Sequence, residues 1–255
     1  MKISIIGTGM IATEVIKMLR TEEKGIEITS IFSHSNKQKA LTLAKENDID
    51  HIYTDYAQLL KEDDADFVYI ALVNNAHYTY VRQALEAQRN VIVEKPFTST
   101  LEEAKLLAQM ARERGLYLFE AVTPLHTPNF QLVKQSLKRI APIHFAQCNF
   151  SQYSSRYERY LQGDIAPAFN PELGGGALND LNVYNINIIV GLFGEPIANQ
   201  YFANHGHNGV DTSGIMVLTY PNLTASCVAA KDSSSPSFTL IEGEKGWVRI
   251  PTTAN

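Results

Sequence analysis

Ile3-Ser4-Ile5-Ile6-Gly7-Thr8-Gly9-Met10-Ile11-Ala12 decides the fold of the first half of this chain. A strand-like run leads directly into two glycines, and a helical stripe of Ile11, Val15, Ile16 and Leu19 follows. Gly7 permits a tight strand-to-helix turn. Gly9 has no side chain, so an anionic group can approach the backbone. Ala12, in the third small position, lets helix and strand pack closely. The free N–H groups at the helix start suit a pyrophosphate. A lone G-x-G-x-x-A run is a weak signal, but the strand before it and the amphipathic helix after it are the context of a dinucleotide-binding βαβ unit. Gly7, Thr8, Gly9, Met10 and Ile11 are the expected phosphate cradle.

The alternation continues outward from that unit. Ile26–Phe32, Phe67–Leu72, Asn90–Val93 and Leu116–Phe119 are mostly continuous apolar runs, as in parallel strands covered on both faces. Tyr78, Val81, Ala84 and Leu85 mark a second helical stripe. Thr100-Leu101-Glu102-Glu103 is a capping box that opens a helix, and Gly115 ends it with Arg112 and Arg114 in its last turn. Repeated strand–helix–strand units make a doubly wound parallel sheet, expected over residues 1–122.

The pattern changes near Glu120. Thr127-Pro128 starts a helix through Leu137, and a strand is expected over Ile143–Phe150. Gln152 to Asn170 reads as a long surface loop. Gly174-Gly175-Gly176 precedes a helical run to Phe193. Strands at Gln200–Ala203, Ser213–Tyr220, Leu223–Ala230, Phe238–Glu242 and Trp247–Ile250 follow, with turns at Pro221-Asn222 and Gly243-Glu244-Lys245-Gly246. The expectation for 123–255 is an α+β domain on a mainly antiparallel sheet.

Composition narrows the function classes. The chain has 255 residues, 45% hydrophobic and 19% charged, with a net charge of -5. That balance excludes a phosphate-backbone binder, which needs clustered Lys and Arg, so no nucleic-acid partner is expected. No apolar run approaches the roughly 20 residues that span a bilayer, and the N-terminus does not read as a signal peptide, so a cytoplasmic protein without a membrane partner is expected. Cys148 and Cys227 fit no Cys-x-x-Cys spacing and read as buried reduced thiols. His205-Gly206-His207 lacks the companions of a metal site, and no metal is expected. Tyr153, Arg156, Tyr157, Arg159 and Tyr160 read as a loop near the substrate entrance rather than a base-stacking surface.

Three further places carry chemistry. The end of the second strand, Phe32-Ser33-His34-Ser35-Asn36-Lys37, lacks the carboxylate that holds a ribose 2′-hydroxyl. Ser33, His34 and Lys37 can instead face a 2′-phosphate, which favours NADP over NAD. The competing reading makes Ser35 or Asn36 a helix cap. Glu94-Lys95-Pro96 lies where a parallel strand leaves the sheet, the edge at which open α/β sheets bind ligands. An ammonium there can bond a substrate hydroxyl, although a Glu-Lys pair alone is more often a solvated ion pair. Asp180 and Tyr184, four apart on a helix, share a face, and a carboxylate beside a phenol can orient it for proton transfer. The plainer alternative is a core tyrosine with a polar neighbour.

Taken in order, the glycine run, Tyr69-Ile70-Ala71 leading to Asn74-Asn75-Ala76-His77-Tyr78, Glu94-Lys95-Pro96, and Gly174-Gly175-Gly176-Ala177-Leu178-Asn179-Asp180 with Tyr184 resemble the glucose–fructose oxidoreductase / inositol dehydrogenase / rhizopine catabolism (Gfo/Idh/MocA) family. Phe169-Asn170-Pro171-Glu172-Leu173 is similar to its dihydrodiol dehydrogenase-like branch. The resemblance implies an N-terminal Rossmann domain and an NAD(P)-dependent dehydrogenase or reductase acting on a CH–OH group of a sugar, cyclitol or trans-diol. It implies that Lys95 contacts nicotinamide ribose and substrate, that Asp180 positions substrate, and that Tyr184 exchanges the proton. Asn74, His77 and Glu94 would line the cofactor cleft. It implies a homodimer or homotetramer through the outer face of the second sheet. The alternatives are an NADP-binding sensor or scaffold without turnover, and a redox-neutral NAD-dependent glycosidase. Two departures stand out. Val73 replaces the family's proline before Asn74, and relatives usually continue beyond the point matching Asn255, so the second domain is expected to be incomplete at its C-terminus.

Overall fold

A computed structural model describes residues 1–21 and 25–251. The last four residues of the 123–255 expectation lie outside the described residues. The chain divides into two compact units, Met1–Ala121 and Val122–Asn255.

The first unit runs β1 (Lys2–Ile6), α1 (Met10–Thr21), β2 (Glu27–Phe32), α2 (Lys37–Glu46), β3 (His51–Tyr53), α3 (Tyr56–Glu62), β4 (Phe67–Ile70), α4 (His77–Glu86), β5 (Asn90–Glu94), α5 (Leu101–Arg114) and β6 (Leu118–Ala121). Its six strands are all parallel, in the order β3-β2-β1-β4-β5-β6. The chain therefore reverses direction across the sheet between β1 and β4, the switch point at which such sheets bind ligands. Ile3, Ile5, Ile16 and Ile31 are buried on the face covered by α1 and α2; Ile6, Ile70, Val91 and Val93 fill the other. Each such side chain contributes about 1.5–3 kcal/mol. The Thr100 hydroxyl accepts the Glu103 N–H at 3.2 Å while the Glu103 carboxylate accepts the Thr100 N–H, and Gly115 ends α5 with φ +65°.

The second unit runs α6 (Pro128–Ile140), β7 (Ile143–Ser151), α7 (Tyr157–Leu161), α8 (Val183–Phe193), β8 (Ala198–His205), β9 (Asp211–Thr219), β10 (Thr224–Ala230), β11 (Phe238–Gly243) and β12 (Gly246–Ile250). The sheet order is β12-β11-β7-β10-β9-β8, antiparallel except for the β7–β10 pair. Phe130 and Val133 of α6 and Ile188 and Ile189 of α8 pack with Ala146, Leu218, Ala225 and Ile241 in one core. Strand alternation turns Phe145, Phe202, Ile215 and Trp247 to the opposite face, where all four are exposed. Cys148 and Cys227, distant in sequence, are register partners on β7 and β10, and both are buried free thiols.

The stretch 152–170 is not the surface loop its polarity implies. It holds α7 and a 3-10 turn at Pro167–Phe169. Tyr160 and Phe169 are buried with Val210 in a small core of their own. Tyr160 stacks on Phe169 at 4.8 Å and on His207 at 4.3 Å, and its hydroxyl donates to Asn208 at 2.8 Å. Among the expected entrance residues, Tyr153 donates to Glu158 and Arg159 pairs with Asp164, so both are engaged within the segment.

Candidate active site

In the first unit the site is built on strand ends. Gly7 has φ +120°, and a Cβ there would lie 2.4 Å from the Ala71 carbonyl oxygen, so glycine is demanded by the β1–β4 junction itself. Gly9 differs: among the described residues, its chain neighbours aside, no heavy atom lies within 4 Å of where its Cβ would be. Nothing among the described residues requires glycine at that point, and the open space lies against the first turn of α1, which begins at Met10. The donor-rich helix start and the unfilled space fit a dinucleotide pyrophosphate approaching the backbone. Thr8 is half-buried, and Met10 and Ile11 are exposed beside it.

At the end of β2 the three residues expected to face a 2′-phosphate part company. Ser33 is buried, and its hydroxyl accepts the Asn36 N–H at 3.2 Å. Asn36 in turn caps α2 by accepting the Lys39 N–H at 2.9 Å. His34 and Lys37 are exposed.

At the end of β5 the Glu94 carboxylate receives the Tyr69 hydroxyl at 2.5 Å from β4 and the Lys95 N–H at 3.3 Å. Lys95 is half-buried just past the strand. Asn74 opens a 3-10 turn after β4 and is half-buried; Val73, before it, is exposed. His77 corrects an expectation. It does not present its ring to a cleft but is fully enclosed, with Nδ1 2.8 Å from the Pro96 carbonyl oxygen and Nε2 3.2 Å from that of Leu72. The ring ties the segments after β4 and β5 together, because its position in the first turn of α4 turns it inward. Burial pushes its pKa below the ordinary imidazole value, against the two carbonyl contacts that favour the proton. Glu120 at the end of β6 accepts the Phe97 N–H at 2.9 Å, and burial raises its pKa.

In the second unit Gly176 has φ +122°, and a Cβ there would fall 1.9 Å from the Asp211 carboxylate. That carboxylate accepts the Leu178 N–H at 2.7 Å and the Tyr201 hydroxyl at 2.6 Å. Burial, with that hydrogen bond, pushes the Tyr201 pKa up. The glycines thus let the chain turn tightly over Asp211 before Asp180. The helical run then opens with a π turn, Leu178–Asn182, rather than a regular α-helix. Wider turns of this kind recur at functional sites. The simple four-residue relation between Asp180 and Tyr184 is altered by it. Asp180 Oδ2 accepts the Lys231 ammonium at 2.8 Å, and Tyr184 packs its ring on Phe150 at 5.9 Å. Lys231 also donates to the Ala168 carbonyl at 2.5 Å and lies 4.4 Å from the Phe169 ring centroid.

Lys231, Asp211, Tyr69 and Glu120 belong to these two clusters, and sequence reading passed over their roles. Lys231 follows an apolar strand, where a lysine normally reads as a solvated strand end. Its partners come from 167–180, a stretch expected to be a loop and a helix start. Among the described residues there is no group of three or more His, Cys, Asp or Glu arranged to hold a metal ion.

Comparison with known proteins agrees across the length of the chain. Residues 1–122 match the model of an oxidoreductase family with an NAD-binding Rossmann fold, and residues 130–249 match the GFO/IDH/MocA C-terminal domain. The chain is 33% identical over 249 residues to an uncharacterized oxidoreductase of Escherichia coli (strain K12), covering 98% of this chain and 75% of that one. It is 32% identical over 254 residues to a scyllo-inositol 2-dehydrogenase (NADP(+)) of Bacillus subtilis (strain 168), covering 98% and 76%. The crystal structure of a 3-ketoreductase from Actinomadura kijaniata with TDP-benzene and NADP superposes with a TM-score of 0.85 at 25% identity, covering 100% of this chain and 77% of that one. The glycine turn at β1, the parallel six-stranded sheet, the antiparallel second sheet and these matches lead to one conclusion: the chain belongs to the Gfo/Idh/MocA family of oxidoreductases with an NAD-binding Rossmann fold.

Proposed function

We propose that this oxidoreductase acts on a secondary hydroxyl of a cyclitol, sugar or trans-diol, or on the matching carbonyl, and that NADP is its preferred cofactor. The observation that carries the reading is Gly9, whose missing side chain opens on space at the start of α1 and meets nothing among the described residues. When bound there, the nicotinamide cofactor supplies the hydride acceptor or donor. Gly7, Thr8, Gly9, Met10 and Ile11 hold the pyrophosphate. His34 and Lys37 pair with the 2′-phosphate, and Ser33 shapes that loop through its bond to Asn36. Asn74, Glu94 and Lys95 hold the ribose and nicotinamide end, with His77 fixing the segments that carry them.

The catalytic assignments are Lys95, Asp180 and Tyr184. Lys95 donates to the reacting oxygen and steadies negative charge that develops on it. Tyr184 takes the hydroxyl proton in oxidation and returns it in reduction. Asp180 accepts a neighbouring hydroxyl of the substrate and so orients the ring. The substrate class is supported by the scyllo-inositol 2-dehydrogenase (NADP(+)) at 32% identity and by trans-1,2-dihydrobenzene-1,2-diol dehydrogenases at about a quarter identity, such as the one from Xenopus tropicalis at 24%. We also propose that copies of the chain join through the face bearing Phe202, Ile215 and Trp247, and that the protein works in the cytoplasm, where the Cys148 and Cys227 thiols stay reduced. No helix among the described residues is long and apolar enough to cross a membrane.

The test is a screen of cyclitols, sugars and trans-diols with NADP and with NAD, read by the near-ultraviolet absorbance of the reduced nicotinamide. Net reduction with a polyol supports the reading. Redox-neutral turnover of a glycoside, or cofactor binding without turnover of any polyol, contradicts it.

A further inference from the structure

Lys231 is the first residue past β10 and is 2% exposed. Its Nζ meets the Ala168 carbonyl at 2.5 Å, the Asp180 carboxylate at 2.8 Å and the Phe169 ring at 4.4 Å. The pair is asymmetric: the ammonium is sealed, while the Asp180 side chain is 34% exposed. Apolar residues in place of a buried ion pair are often neutral or stabilising, so fold stability is a weak reason to keep an ammonium there. Its effect falls on the partner that remains open to solvent.

We propose that Lys231 is a positioning residue for the reaction, a buried counter-ion that fixes the plane of the Asp180 carboxylate so that its exposed side accepts a polyol hydroxyl. This rests on the reading of Asp180 as the group that orients substrate. Other charged or titratable groups border the pair. Asp211 on β9 accepts the Leu178 N–H and the Tyr201 hydroxyl. Asp232 accepts the hydroxyls of Thr212 and Ser213. Arg156 and Tyr157 sit in the turn whose Ser154 N–H donates to the Lys231 carbonyl, Tyr160 stacks on Phe169, and Tyr184 follows on α8. Asp211 and Asp232 accept from those donors, and the Lys231 ammonium lies 2.8 Å from Asp180 Oδ2.

The inference is tested with Lys231→Met, Asp180→Asn and the double variant, each loaded with NADP and assayed with scyllo-inositol. Lys231→Met is expected to raise KM for the polyol about tenfold or more, the scale of a lost hydrogen bond to a charged group, with cofactor affinity unchanged. In the Asp180→Asn background the same substitution is expected to change nothing further. Native kinetics in Lys231→Met overturn the inference. So does an equal loss in both backgrounds, which marks a general packing role.

A second measurement needs no turnover. The ion pair at 2.8 Å exists only while the Asp180 carboxylate is charged, so its stabilisation is lost in acid, where carboxylates take up protons. Lys231→Met has no such pair to lose. The melting-temperature gap between native and Lys231→Met therefore widens from about pH 3 to about pH 6, and in the Asp180→Asn background it stays constant. A pH-independent gap in the native background overturns the pairing. A widening gap in a protein that turns over no polyol supports the pairing and removes the substrate reading instead.

Discussion

The His77 ring stands with Nδ1 2.8 Å from the Pro96 carbonyl oxygen, joining the start of α4 to the residue after Lys95. The same ring reaches the Leu72 carbonyl at 3.2 Å, so a single buried side chain sets the spacing of two loops at the carboxyl edge of the sheet. Burial lowers its pKa, and the folded state therefore binds a proton less readily than the unfolded chain. Stability from this source is complete above the unfolded value of about 6.5 and declines as pH falls below it. Urea midpoints of the native protein should fall between about pH 7.5 and 5. His77→Gln should start lower and show a shallower decline. An equal slope in the two proteins would remove His77 as the source.

Gly7 and Gly9 separate folding from binding. Gly7→Ala places a Cβ 2.4 Å from the Ala71 carbonyl oxygen at φ +120°, and should cost about 1–3 kcal/mol of stability by denaturant titration. Gly9→Ala meets no atom of the other described residues and should melt within a degree or so of native while binding cofactor about tenfold or more weakly by calorimetry. A Gly9→Ala protein with native cofactor affinity would contradict the assignment of the cradle.

How much of this was legible follows from where the determinants lie. The β1–glycine–α1 turn, the Thr100–Glu103 capping box and the Thr127-Pro128 helix start are encoded by residues within a few positions of one another, and all three appear as read. β3 was missed because His51–Tyr53 is too short to show any period, and its place is fixed by pairing with Ser30–Phe32. The 152–170 segment reads as solvated because its buried members, Tyr160 and Phe169, lie nine positions apart with exposed Leu161 and Ile165 between them, show no period, and find Val210 from far along the chain. Lys231 was invisible for the same reason: its burial depends on Ala168, Phe169 and Asp180, none of them local to it.

Cofactor choice is tested at the exposed pair after β2. Lys37→Glu combined with His34→Glu should weaken NADP binding about tenfold or more, through loss of charge-assisted contacts, while leaving NAD binding within about twofold. Because both side chains are solvent-exposed, NADP binding by the native protein should weaken more than NAD binding as salt is raised. An unchanged NADP to NAD ratio in the double variant would place 2′-phosphate recognition elsewhere.

The exposed face of the second sheet gives a separate test. Phe202→Glu with Ile215→Lys places opposite charges on register partners of β8 and β9 and should leave the fold intact. Light scattering after gel filtration should report a smaller particle than the native protein. Equal masses would remove this face as the contact between copies.

The most direct measurement of the central claim follows nicotinamide reduction by the purified protein supplied with NADP and scyllo-inositol, beside Lys95→Ala and Tyr184→Phe at matched cofactor saturation. A steady rise in absorbance for the native protein, reduced about a hundredfold or more in each variant with cofactor affinity little changed, is the predicted result. Equal rates in native and variant proteins, or no reduction of either cofactor with any cyclitol, sugar or trans-diol, would contradict it.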